Sequence, residues 1–135
     1  MKFSKVVFGT ILAASVALPV VASADSAECE LRAFKANHVA PLRVQERVGR
    51  GTIERLAGAQ LFVPARQGVT AEWLRARVEQ HVSAMHHQGM PGCPLAVGGI
   101  QVAVVSGGTG FWVQIAAKNP DAAREVLRLA QSAVR

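Results

Sequence analysis

Tyrosine is absent from this chain, cysteine occurs twice, and aromatic residues fill only 5% of its 135 positions. The absences extend to catalytic signatures. No G-x-S-x-G is present, which excludes a nucleophile elbow, and no H-E-x-x-H, H-x-x-x-H or C-x-x-C is present, which excludes the common spaced metal motifs. Gly107-Gly108-Thr109-Gly110 is followed by neither a lysine nor a helix pattern, so it is no phosphate loop. The few acidic residues, among them Glu46, Glu54, Glu72 and Glu79, fall on expected polar faces or at helix caps rather than in pairs. Cys93 near a histidine imitates a thiol catalyst, but a disulfide removes the nucleophile. No enzyme is therefore expected. No basic run is interleaved with aromatics, so nucleic acid is not an expected partner either. No repeat or low-complexity stretch occurs, and only one long apolar run exists.

That run lies at the start. Lys2 and Lys5 precede an almost wholly apolar stretch from Val6 to Val21, broken by Pro19, and Ala22-Ser23-Ala24 supplies the small-x-small pattern of a signal-peptidase site. A membrane span needs roughly 20 apolar residues, more than this run offers, and none follows it. Residues 1–24 are therefore expected to be a cleaved signal. The mature chain would begin near Asp25 and reside in the periplasm or outside the cell, with no transmembrane segment. Without Lys2 and Lys5 the formal charge drops from +6 to +4. The arginines are dispersed, as on a solvated surface.

Export gives the two cysteines their meaning. Cys29 and Cys93 are expected to pair in an oxidising compartment. The bond would tether an N-terminal segment, residues 25–57, to a small α+β domain spanning 58–135. Asp25-Ser26-Ala27-Glu28 lacks an apolar lipobox, so Cys29 is not a lipidation site.

Within the N-terminal segment, residues 27–36 suggest a short helix, 42–48 have strand character, and Gly49-Arg50-Gly51 reads as a turn. The following pattern is sharper. Ala59 to Val63 predicts a strand stopped by Pro64. Thr70 caps a helix whose stripe is Leu74, Val78, Val82 and Met85, ending near Gly89. Ile100 to Val105 and Phe111 to Ile115 alternate around a glycine-rich turn and predict a hairpin. Asn119 and Pro120 open a last helix with Ala123, Val126, Leu127, Ala130 and Val134 inward. The order is β-α-β-β-α, an α+β class with two helices on one face of a small, mostly antiparallel sheet. A split βαβ, ferredoxin-like arrangement is the natural candidate, and its fourth strand could come only from the N-terminal segment.

Two features invite function. His81, Met85, His86, His87 and Met90 crowd into ten residues, with Cys93 close behind. Imidazole and thioether together suit copper, and His81 and Met85 stand one helical turn apart. Against this, His81 and Met85 also sit in the core stripe, and His86 and His87 complement a helix C-terminus. The second feature is Trp112. Alternation turns it away from Phe111, Val113 and Ile115, onto the side shared by Gln101, Ala103, Val105 and Gln114. There it is either a contact for a partner or covered by the N-terminal segment. The sequence thus predicts a small exported binding protein. It would handle copper through the His/Met cluster, or act as an envelope interaction module through the sheet face around Trp112.

Overall fold

The computed structural model describes residues 29–135, apart from the side chains of residues 86–88. The expected signal, residues 1–24, lies outside this range. A four-residue helix α1 (Glu30–Ala33) precedes strands β1 (His38–Val48) and β2 (Gly51–Pro64). Helix α2 (Ala71–Gln88) and a 3-10 turn (Pro94–Ala96) lead to β3 (Ile100–Ser106), β4 (Gly110–Ala117) and helix α3 (Pro120–Ala133). The strands form one antiparallel sheet in the order β1-β2-β4-β3.

The α+β class, the antiparallel sheet and the two helices on one face are as the patterning predicts. Thr70 Oγ1 accepts a hydrogen bond from the Trp73 amide at 3.2 Å, and Asn119 Oδ1 accepts one from the Ala122 amide at 2.8 Å, so both expected caps are in place. Strands β2 and β3 are each antiparallel to β4, hence parallel to one another with β4 between them, and α2 connects them. This is a split βαβ unit. The missing fourth strand is β1, hydrogen-bonded along the free side of β2. The topology is that of βαββαβ with its last strand moved to the front of the chain. The expected strand at 59–63 is the second half of a longer strand, so the 57/58 boundary drawn from the sequence falls inside β2.

The core lies between the sheet and the helices. Ala59, Leu61, Val63, Val113 and Ile115 from the sheet meet Leu74 and Val78 of α2 and Ala123, Val126 and Ala130 of α3, all of them inaccessible to solvent. Helix α3 packs chiefly on β2 and α2 chiefly on β3. No polar or charged side chain is buried among the described residues, so packing rather than a polar network holds the fold.

One irregularity shapes β2. The register jumps from Leu42 opposite Gly58 to Arg43 opposite Leu56, leaving Ala57 as the extra residue of a bulge. At Gly58 a side chain would collide with the neighbouring strand, because a Cβ would sit 1.9 Å from the Ile115 carbonyl oxygen. Beyond this bulge β1 and β2 continue as a two-stranded arm, closed at Gly49-Arg50, whose residues are largely exposed.

Candidate functional site

Helix α1 docks on the helical side of the sheet, not on its open side. Leu31 and Phe34 enter the core, the Phe34 ring meets Trp73 of α2 edge-on at 5.9 Å, and Glu30 pairs with Arg77 at 2.9 Å. Cys29, just ahead of α1, is bonded to Cys93 with 5.4 Å between their Cα atoms. The expected disulfide is thus present, and it is buried: Cys29 is 7% and Cys93 1% exposed.

His81 lies beside this bond. Its Nε2 is 4.0 Å from Cys93 Sγ. The ligand-capable atoms of Cys29, His81 and Cys93 all lie within 4.8 Å of one another. Burial pushes the His81 pKa below the usual 6.5. The Glu30 carboxylate opposes that shift and the Arg77 guanidinium adds to it. The imidazole is therefore neutral at pH 7, the form that can ligate a metal. The bonded sulfurs are poor ligands; after reduction the same three residues would form a soft N/S donor set.

The rest of the His/Met group is divided. Met85 is 7% exposed and belongs to the core cluster, while Met90 is half-buried against it. The side chains of His86 and His87 lie outside the described residues. Met90 and Cys93 border an open cleft of about 670 Å³, whose far wall is Glu125, Arg128 and Leu129 of α3. There Glu125 is held below the usual carboxylate range by its hydrogen bonds to Arg128.

The open side of the sheet is a different surface. Register places Trp112 opposite Phe62 on one neighbour and Val105 on the other. Its ring meets Phe62 at 5.1 Å and His38 at 5.9 Å, both edge-on. Gly107 closes the fourth side, since a Cβ there would lie 2.6 Å from the indole Cδ1. Trp112 is consequently half-buried within its own sheet and fixed in orientation. Among the described residues of the N-terminal segment, His38 at the start of β1 meets the indole, and α1 lies on the other face of the sheet. Beyond the trio, Gln60 and Gln114 share a hydrogen bond at 3.4 Å. Ala103, Ala116 and Ala40 complete the centre of the face.

Phe62 and His38 were not singled out from the sequence. Phe62 was legible as the outward residue between Leu61 and Val63. His38 was not, because nothing in residues 37–41 announces a strand start. Comparison with protein-family models, with curated proteins and with solved structures finds no match to this chain.

Proposed function

We propose that this protein is an exported, disulfide-bonded binding module, periplasmic or secreted, whose working surface is the open sheet face centred on Trp112. The partner would be a protein of the cell envelope, and no catalytic step is assigned. One observation carries this: Trp112, Phe62 and His38 form an aromatic cluster on a face that no described helix covers. Rigid, half-exposed indoles concentrate binding energy at interfaces. The apolar, signal-like start of the chain and the buried disulfide support the exported setting.

The test is capture of envelope partners by wild type and Trp112→Ala, with far-UV circular dichroism and cooperative thermal unfolding confirming the fold. Loss of a hot-spot side chain removes about 2 kcal/mol or more, roughly thirtyfold in affinity. Unchanged capture by a folded variant would overturn the proposal.

His81 favours a second reading, metal handling. A neutral imidazole beside two cysteines supports copper or another transition metal, and Met85, His86, His87 and Met90 remain the further candidate donors in sequence. Titration with cuprous and cobaltous ions, before and after reduction of the disulfide, should show stoichiometric binding that His81→Ala removes. Binding that is absent in both states, or indifferent to His81→Ala, would exclude it.

A further inference from the structure

The open face has an unusual composition for a basic chain. Its centre, built of alternate residues on four strands, is His38, Ala40 and Leu42, then Gly58, Gln60 and Phe62, then Trp112, Gln114 and Ala116, then Gln101, Ala103 and Val105. None of these is an Asp, Glu, Lys or Arg, although the whole chain has 24 such residues and a net charge of +6.

Exposed apolar side chains collect on the same side. Of the large hydrophobics that are exposed among the described residues, Val105 lies on this face. Val44, Val48 and Ile53, exposed by 36%, 53% and 51%, lie on its continuation along the β1/β2 arm. The two charges on that stretch of the arm, Glu46 and Arg55, are bonded to each other at 2.8 Å. Among the described residues, Trp73 is the one exposed large hydrophobic on the helical side. A two-stranded ribbon is marginal in water by itself, so an arm with a valine and isoleucine stripe gains stability when that stripe is covered.

We infer that the occupant of this face is a second copy of the same chain, packed sheet to sheet across a twofold axis. This rests on the reading of the face as a binding surface and names its partner. Three arguments select a copy over a different protein. A partner chosen by charge would be acidic and would seek free arginines, which the centre of this face lacks and which this side of the arm offers only as Arg55 paired with Glu46. Two basic molecules repel wherever their charges meet, and this face is where they can meet without that cost. Its polar groups are also self-complementary: each amide of Gln60, Gln101 and Gln114 both donates and accepts, so a surface of amides can pair with its own image across a twofold.

The size is sufficient. With strands about 4.8 Å apart and about 3.3 Å per residue, the four-stranded centre and the arm together span roughly 600 Å² per molecule. Two such surfaces bury about 1,200 Å², the lower bound for a stable specific interface. Sheets stacked in this way lie about 10 Å apart, the distance at which Trp112, Phe62 and Val105 of the two copies interdigitate.

The experiment is sedimentation of the exported protein from about 1 to 200 μM. Twice the monomer mass is expected. Val105→Glu and Ala103→Glu, both at exposed positions, should each weaken the dimer by more than about a hundredfold, because each would bury an unpaired carboxylate. Trp73→Ser, on the helical side, should leave it intact. A monomer throughout that range would overturn the inference. So would a dimer indifferent to both glutamates, as association through the bare edge of β3 would be. If the protein is monomeric and Trp112→Ala still loses an envelope partner, the face remains a binding surface and only its self-pairing fails.

Discussion

Removing the Cys29–Cys93 bond tests the tie between the ends of the fold. The cysteines are 64 positions apart. For a loop of that length the chain-entropy model gives a stabilisation of about 4 kcal/mol through restriction of the unfolded chain. A domain of this size loses roughly 4–5 °C of melting temperature per kcal/mol, so reduction should lower it by about 15–20 °C. Cys29→Ala/Cys93→Ala should fall at least as far, since both sulfurs are buried and their removal also leaves a void. The loss should begin at α1. That helix has four residues, and apart from the bond it is held by Leu31, Phe34 and the partly exposed Glu30–Arg77 pair. Thermal unfolding followed by circular dichroism, with hydrogen exchange on residues 30–36, measures both effects. A drop of less than about 5 °C would refute the loop-entropy account. Full thiol labelling of unreduced, denatured protein would refute the bond itself.

Gly58→Ala should cost about 3 kcal/mol or more in chemical denaturation, because its Cβ would collide with the Ile115 carbonyl oxygen across the β2–β4 ladder; a loss under 1 kcal/mol would mean the strands separate there freely. His81 has its pKa lowered in the folded state, so the unfolded chain takes up the proton first as pH falls. Its contribution is complete above about pH 6.5, the unfolded value, and declines below it. Between pH 8 and 5 the wild type should therefore lose more stability than His81→Gln, and parallel pH profiles would contradict the partial burial of the ring.

The legible parts of this fold are those where local signals agree. Thr70 with the Leu74–Val78 stripe, Asn119-Pro120, and the hairpin around residues 106–110 each combine a cap or turn with the right period, and each is where the patterning predicts. The second half of β1, from residue 42 to the Gly49-Arg50-Gly51 turn, was legible as a strand, whereas its start at His38 was obscured by Pro41. The bulge at Ala57 breaks the alternation of β2, which hid its first half. For the site, the disulfide followed from cysteine count and the signal-like start of the chain, and the direction of Trp112 followed from alternation. The approach of His81 to Cys93 did not, because it depends on how the chain turns back at Gly89–Gly92. The trio around Trp112 required the β1–β2–β4 register, which is long-range.

Moving the edge strand to the front of the chain reorders assembly. Both hairpins, β1/β2 and β3/β4, close through turns of a few residues and can form within microseconds. The one pairing that joins them, β2 with β4, brings together residues such as Leu61 and Val113 that are far apart in the chain. The topological cost of this fold is thus concentrated in the docking of the two hairpins, with α2 as the linker. Cys29 belongs to the first half and Cys93 to the lead-in of the second. A bond between them shortens the search for that event, so the same covalent link that stabilises the finished protein also guides its halves together.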